Sequence, residues 1–258
     1  MTGPSGAGLS SSPLFAAEAG ARIAELRSTL RALGAAPIHE SRILKLWTQA
    51  IPWDAPRKHP ADHLPRAVDQ ALPSLTRALD DLARLQLREP STADEGERLL
   101  FALADGQTVE SVLLARGGVC VSTQVGCAVG CTFCMTGRSG LLRQLGSAEI
   151  VAQVVQARRL RPVRKVVFMG MGEPAHNLDN VLEAIELLGG EAMIGHRNLV
   201  FSTVGDWRVF ERLPQSRVRP ALALSLHTTR ASLRESLLPR APRIDPADLV
   251  KAAQNTVV

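Results

Sequence analysis

The feature that most constrains the fold is an alternation of short apolar runs with helical patterns through the second half of the chain. The apolar runs lie at 119–123, 165–169, 199–203 and 221–226. Such runs are typical of strands buried on both faces, as in parallel sheets. Strand–helix repetition predicts βαβ units, and therefore an α/β fold whose parallel strands close, fully or in part, as a barrel.

The carboxyl ends of the strands carry the reactive groups in folds of this kind. Each predicted strand here ends in polar or glycine-rich residues, among them Gly172, Glu173, Ser202, Ser225 and His227. The glycine would let the backbone approach a ligand, the glutamate could accept hydrogen bonds from an ammonium, and the others could contact a ribose or carboxylate. Singly, each has an ordinary reading as a turn, cap or satisfied core residue. Together at one edge, they favour a ligand pocket.

All four cysteines of the chain fall between Cys120 and Cys134. Cys127, Cys131 and Cys134 follow a C-x3-C-x2-C spacing, which can bring three thiolates to one soft metal centre. Three ligands for a four-iron cluster leave one iron open to a substrate or cofactor. The spacing therefore favours an iron–sulfur site, with Cys120 standing apart from it.

Three other interpretations of the cysteines are weaker. A structural zinc site needs a fourth ligand, and the nearest histidine, His176, is far away in sequence. Buried free thiols are common, but they do not explain three cysteines at this spacing between glycines. A disulfide framework belongs to small secreted domains, unlike a chain of 258 residues.

The first 92 residues predict a leader followed by a helical module. Residues 1–13 are rich in Gly, Ser and Pro, which is typical of a disordered segment. Between about 14 and 92, aliphatic residues recur at helical spacing, which predicts a small helical domain ending near residue 90. Asp105-Gly106 then separates two β-like runs and predicts a hairpin. Because side chains alternate along a strand, Glu110 lies on the opposite face from Val109. From that face Glu110 could point towards an active site.

Composition narrows the classes of function. A net charge of +5 favours polyanion partners such as nucleic acid, although many enzymes are this basic. Six Phe, three Trp and no Tyr give no extended stacking platform for single strands. The sequence shows no membrane-spanning run and no signal peptide. With reduced thiols, this predicts a cytoplasmic protein.

Three motifs resemble the RlmN/Cfr group of radical S-adenosylmethionine (AdoMet) RNA methyltransferases. They are the cysteine segment 120–134, Gly170-Met-Gly-Glu-Pro174 and Ala223-Leu-Ser-Leu-His227. The resemblance implies a partial radical SAM (β/α) barrel at 97–258, preceded by an accessory RNA-binding helical domain at 14–92. It implies that Glu110 is the proton acceptor and that Cys120 resolves a protein–RNA adduct. The implied cluster ligands are Cys127, Cys131 and Cys134, and the implied AdoMet-binding residues are Gly172, Glu173, Ser202, Ser225, Leu226 and His227.

The activity implied by this resemblance is methylation of C2 of an adenine in 23S rRNA, and in some members of a tRNA adenine. That group uses a 4Fe–4S cluster, AdoMet, a methyl-carrying cysteine and a 5′-deoxyadenosyl radical. An electron donor such as flavodoxin and a monomeric state are further expectations. No cysteine follows Cys134, and about four of six barrel strands are visible. The core is therefore expected to lack its C-terminal strands and the methyl-carrying cysteine, and not to complete methyl transfer.

Two alternatives stay open at this point. One is a radical AdoMet enzyme of other chemistry, against which the position of Cys120 and the leading helices argue. The other is a non-catalytic RNA-binding remnant that holds phosphates through basic residues. Those residues are Arg138, Arg143, Arg158, Arg159, Arg161, Arg164 and Lys165.

Overall fold

A computed structural model of the chain describes residues 20–57, 59, 62–91 and 95–256. The leader predicted at 1–13 lies outside these residues. The first described elements are the helices α1 (Ile23–Ala32), α2 (Pro37–Thr48) and α3 (Arg66–Asp81). Each buries an apolar face, as its spacing of leucines and isoleucines predicts.

The prediction that the helical segment runs to about residue 90 is wrong. The strand β1 (Arg84–Pro90) follows α3 and pairs antiparallel with β2 (Glu97–Ala102). Leu85 continues the helical spacing of the preceding leucines, but pairing with a neighbouring strand overrides that local preference. The helices also share one continuous apolar core with the sheet. The division at 14–92 and 97–258 into two domains stays a prediction.

Among the described residues, the strands form a seven-stranded main sheet and a separate two-stranded ribbon. After β2 come β3 (Thr108–Leu114), β4 (Gly118–Val121), β5 (Gln124–Gly126), β6 (Leu141–Gln144), β7 (Lys165–Phe168), β8 (Leu199–Thr203) and β9 (Ala221–Leu224). The order in the main sheet is β1-β2-β3-β4-β7-β8-β9, and β5 pairs with β6 in the ribbon. The first four strands are antiparallel neighbours, and β4, β7, β8 and β9 run parallel. The predicted hairpin and the parallel α/β fold are confirmed.

Helices follow the ribbon and alternate with the parallel strands. They are α4 (Ser147–Leu160), α5 (Leu178–Gly189), α6 (Trp207–Arg212), α7 (Ala231–Leu237) and α8 (Pro246–Thr256). Of these, α4, α5 and α8 pack against β4, β8 and β9 respectively. The side chains that alternate towards the helices, such as Val119, Phe168 and Phe201, are fully buried. In the part of the chain that the structure describes, none of the helices is long and apolar enough to cross a bilayer.

The opposite face of the sheet carries the chemistry-bearing side chains. Cys120 pairs with Val112 on β3 and Val167 on β7, and Val167 pairs with Val200 on β8. Because side chains alternate along a strand, Glu110, Cys120 and Ser202 share this face. Met169 continues β7 on the same face and is 52% exposed.

Candidate functional site

The cysteine loop is carried on a two-stranded ribbon formed by β5 and β6, which the sequence patterns did not predict. The ribbon pairs Gly126 with Leu141, and the Cys127 N–H donates to the Gly140 carbonyl at 3.0 Å. Gly126 has φ +78°, and a Cβ there would lie 2.0 Å from the Gly140 oxygen. Only glycine fits at this point, so both ends of the loop are fixed.

Arg143 fastens this ribbon to its neighbours. Its Nε donates to Asp105 in the hairpin turn at 2.6 Å. Its two terminal nitrogens bind both carboxylate oxygens of Glu149, in the first turn of α4, at 2.9 and 2.8 Å. Burial alone would lower the pKa of the Arg143 guanidinium, but its hydrogen bonds and charge pairing with Glu149 and Asp105 raise it. A bidentate pair of this kind fixes orientation as well as distance.

The three cysteines of the C-x3-C-x2-C spacing line one cavity of about 170 Å³. The structure brings most of the predicted binding residues to the same cavity. They are Gly172, Glu173, Ser202, Ser225 and His227. Leu226 is not among the residues that line the cavity, and its backbone N–H donates to the Leu224 carbonyl. Glu110 and Cys120 also lie outside the lining, on the adjoining sheet face.

The thiols of the loop are held close to one another in a shielded position. Burial raises the pKa of Cys127, and burial together with the neighbouring Cys127 and Cys134 raises the pKa of Cys131 to about 11. Within the described ranges, no three His, Cys, Asp or Glu side chains are placed to hold a single metal ion. A four-iron cluster takes each thiolate on a different iron, so its three cysteine ligands line a common space without converging on a single point. The donor set therefore fits a cluster.

Glu173 is a buried carboxylate that already has protein partners. One oxygen accepts from the Ala175 N–H at 3.1 Å and the other from the Val204 N–H at 3.0 Å. Burial nevertheless raises the pKa of Glu173. The Glu173 N–H donates to the side-chain oxygen of Gln124 at 2.8 Å. The loop is thus attached to β8 on one side and to the ribbon on the other.

Gly172 is required by conformation and by packing. Its φ is +102°, and a Cβ would lie 2.6 Å from Cβ and Cγ of Gln124. The close approach expected of this glycine is therefore made to a protein side chain. Gln124 in turn donates to Gln144 at 2.8 Å, so the glycine loop rests on the ribbon.

Three further polar residues line the cavity: Ser202, Ser225 and His227. The Ser202 and Ser225 hydroxyls lie 3.3 Å apart. His227 adopts a left-handed φ of 63°, and its ring centroid lies 4.9 Å from that of Phe133. Burial, and then the nearby Arg234, lower the pKa of His227, which favours the neutral imidazole.

Glu110 and Cys120 are placed beside the cavity on the open face of the sheet. Arg98 donates to the Glu110 carboxylate at 2.9 Å. The Cys120 sulfur accepts from the backbone N–H of Met169, a residue that lines the cavity. Burial raises the pKa of Cys120 to about 11.

A buried amide on α4 holds the loop residues in place and was missed from the sequence. The Gln153 side-chain oxygen accepts from the Ser122 N–H at 2.9 Å and the Ser111 hydroxyl at 2.8 Å, and its nitrogen donates to the Ser122 carbonyl at 3.0 Å. The Ser122 hydroxyl then accepts from the Met171 N–H at 2.8 Å. The sequence did offer a signal, because Gln153 interrupts the apolar stripe formed by Ile150, Val151 and Val154, and a polar side chain on a buried helix face needs hydrogen-bond partners.

Most of the basic residues considered for phosphate binding have structural partners instead. Arg158 donates to the carbonyls of Thr48 and Ala192, and Arg161 donates to the Leu114 carbonyl. Arg159 pairs with Asp80. Together with Arg143, these side chains stabilise the fold, which weakens the interpretation of that set as an RNA surface.

Residues 121–255 match the family described as the radical SAM superfamily. The chain belongs to this superfamily, and the resemblance drawn from its three motifs is confirmed. It is 69% identical over 233 residues to a probable RNA methyltransferase of Leptothrix cholodnii, covering 90% of this chain and 67% of that protein. A probable RNA methyltransferase of Aromatoleum aromaticum is 67% identical, with 90% of this chain and 65% of that protein covered.

A solved structure shows the same fold. The crystal structure of a radical SAM methyltransferase from Sphaerobacter thermophilus superposes with a TM-score of 0.73 at 33% sequence identity. The match covers 92% of this chain and 71% of that one. The chain therefore spans about two thirds of the length of its curated relatives.

Proposed function

We propose that the protein is a radical AdoMet RNA methyltransferase acting on C2 of an adenine in 23S rRNA, with tRNA as a second substrate. The observation that carries this is the single cavity shared by three cysteine thiols and the Gly172–Glu173 loop. The names of the relatives, with 63–69% identity, support RNA as the substrate class. The motif resemblance supplies the finer choice of base and carbon.

Cys127, Cys131 and Cys134 would hold a four-iron cluster. The residues that would bind AdoMet are Gly172, Glu173, Ser202, Ser225, Leu226 and His227. When bound and reduced by a flavodoxin-class donor, this pair supplies a 5′-deoxyadenosyl radical. The buried walls formed by Val129 and Val204 would exclude water from it.

The polar groups of the chain have capacity left for a ligand. The Glu173 carboxylate accepts from the Ala175 and Val204 N–H groups and from the Thr203 side chain, which leaves about one of its four lone-pair sites to accept from an ammonium. The Ser202 and Ser225 hydroxyls share one hydrogen bond, and therefore one proton remains to donate to a carboxylate or ribose oxygen. These are the contacts that an amino-acid-bearing nucleoside needs.

Glu110 and Cys120 would act on the base. With a pKa near 11, Cys120 is a protonated thiol at neutral pH and must lose its proton before it attacks a sulfur. Glu110 lies on the same sheet face, where its carboxylate accepts from Arg98 at 2.9 Å, and a carboxylate can accept a proton from a substrate. This agrees with the roles of proton acceptor and resolving cysteine.

The deciding experiment is anaerobic reconstitution with iron and sulfide, followed by dithionite, AdoMet and an assay for 5′-deoxyadenosine. We expect the product with the native chain and its loss in Cys131→Ala. Thr132→Ala, an exposed position in the same loop, is the matched control and should retain activity. A bound zinc ion and no cluster would refute the proposal.

Methyl transfer is assayed separately by mass spectrometry of a 23S rRNA fragment. The separation is needed because all four cysteines lie between 120 and 134, and none is the methyl carrier implied by the resemblance. 5′-Deoxyadenosine without methyladenine is therefore the expected outcome, and methyladenine made by this chain would refute the expectation that it does not complete methyl transfer. A cluster without AdoMet cleavage would favour the non-catalytic RNA-binding alternative.

A further inference from the structure

A buried arginine on α7 lies behind the cysteine cavity. Arg234 is only 4% exposed, although its helix neighbours Ser232 and Glu235 are exposed. Arginine is almost never fully buried unless it is paired. Among the described residues no carboxylate pairs with Arg234, and burial lowers the pKa of its guanidinium. Its Nε is buried without a hydrogen-bond acceptor. A cation in this position costs stability, so the polar contact that it does make needs an explanation.

That contact is made to the turn that follows β8. The Arg234 Nη2 donates to the backbone carbonyl of Val204. The N–H of the same valine donates to the Glu173 carboxylate at 3.0 Å. Val204 therefore stands between a guanidinium on one side and the carboxylate of the glycine loop on the other. Hydrogen bonds with one charged partner are stronger than neutral ones, so both ends of this residue are held firmly.

The Val204 turn depends on side chains because it lies beyond the strand ladder. Thr203 is the last residue of β8 that pairs with β9, and Gly205 turns the backbone with φ +108°. Val204, between them, is buried. Without Arg234 its carbonyl would be a buried acceptor that has lost its donor, and the turn would have to shift to find another. Such a shift would move the N–H that Glu173 accepts from.

The same helix is attached to the cysteine loop. The Thr132 N–H donates to the Leu237 carbonyl, at the end of α7, at 3.0 Å. The helix end and the loop also share one apolar cluster, whose buried members are Cys127, Val129, Val204 and Leu238. Through these contacts α7 touches the loop that would hold the cluster and, by way of Val204, the Glu173 carboxylate. One helix can therefore set the position of the two parts of the site relative to each other.

We propose that Arg234 is a positioning residue, which holds the Val204 turn so that the Glu173 carboxylate points at the ammonium of AdoMet. Arg234 is not among the residues that line the cysteine cavity, so it acts through Val204 rather than by touching the ligand. The inference rests on the proposed function for the identity of the ligand. The link from Arg234 to Glu173 rests on the contacts of the chain alone.

The first test is equilibrium dialysis of the anaerobically reconstituted chain, without reductant, against AdoMet and against 5′-methylthioadenosine. The second ligand has the same adenosine and sulfur but no ammonium. Arg234→Met should bind AdoMet at least about tenfold more weakly, which is the loss expected for one hydrogen bond to a charged group. It should keep its affinity for 5′-methylthioadenosine. Arg234→Lys, which can still donate to a carbonyl, should recover part of the AdoMet affinity.

The second test is amide hydrogen exchange of residues 202–206 in the chain without ligand. Exchange should be faster in Arg234→Met, because the turn loses its donor. Arg230→Gln is the matched control for both tests, since Arg230 is exposed at the N-cap of the same helix. It removes the same charge and should leave the exchange and both affinities unchanged.

Equal weakening of both ligands in Arg234→Met would show a general loss of structure and would overturn the proposal. Unchanged exchange at 202–206 would overturn it as well, because Arg234 would then not hold the turn. If the native chain binds AdoMet and Arg234→Met binds it equally well, this inference is wrong and the proposed function is unaffected. If the native chain does not bind AdoMet, the proposed function fails and the assignment of Arg234 to AdoMet fails with it.

Discussion

Replacing Gln153 by leucine should destabilise the protein strongly although it makes the core more apolar. Gln153 is fully buried on α4, and its side chain satisfies the N–H and C=O of Ser122 and the hydroxyl of Ser111. Leucine has a similar volume but satisfies none of them. Because Ser122 also holds the Met171 N–H, the change should disturb the Gly172 loop as well.

The magnitude follows from the three groups left without partners. Each buried orphan costs roughly 1–3 kcal/mol, which gives about 3–9 kcal/mol for the three groups. The added apolar burial of leucine offsets about 1.5–2 kcal/mol of this. We therefore expect a net loss of about 1–7 kcal/mol, a large part of a total stability of about 5–15 kcal/mol.

Urea unfolding of the full chain, followed by circular dichroism, measures this loss. Gln156→Leu is the matched control, since Gln156 lies on the same helix, is half-buried, and its side-chain oxygen accepts from Arg159 at 3.4 Å. It should change stability by no more than about 0.5 kcal/mol. The double variant Ser111→Ala/Gln153→Leu should lose less than the sum of its single changes, because one orphan is removed. A loss under about 1 kcal/mol for Gln153→Leu would show that these hydrogen bonds are not what fixes the loop.

Four further results are expected. Gly172→Ala should lower the free energy of unfolding by at least about 1 kcal/mol from its positive φ alone. The clash of the new Cβ with Gln124 should also reduce 5′-deoxyadenosine formation. Gly34→Ala is the control, because Gly34 has φ +85° with open space around it and should show the strain without a loss of activity. Cys120, with a pKa of about 11, should react with iodoacetamide at pH 8 about 100-fold more slowly than an ordinary thiol. Since that folded pKa is raised, the associated stability is present below pH 9 and declines as pH approaches 11. Cys120→Ala should reduce this decline in pH-dependent unfolding, and the part that remains includes that of Cys131, whose pKa is also raised to about 11. Arg143→Lys should lower the free energy of unfolding by about 1–3 kcal/mol, because it loses the paired hydrogen bonds to Glu149. Amide hydrogen exchange of residues 126–140 should become faster in this variant. Arg77→Lys, on the exposed side of α3, is the control and should leave that exchange unchanged.

The cysteine spacing, the hairpin at Asp105-Gly106 and the parallel strands could all be predicted from the sequence. Each of these depends on residues close together along the chain, either through the alternation of side chains or through the conformation that glycine permits in a turn. The carboxyl ends of parallel strands must meet at one edge, so the gathering of Glu173, Ser202 and Ser225 followed from topology. The same logic failed for β1, where a helical spacing of leucines was overridden by pairing with β2.

What the sequence by itself determined is therefore the class of fold and the residues that could form the site. Only the tertiary structure decided how that site is held, because its supports join residues far apart in sequence. Gln153 and Ser122 are 31 residues apart, and Arg143 and Asp105 are 38 apart. It also decided which arginines, such as Arg143, are paired inside the fold and which remain exposed, since a guanidinium in the sequence carries the same charge whether or not folding brings it a carboxylate.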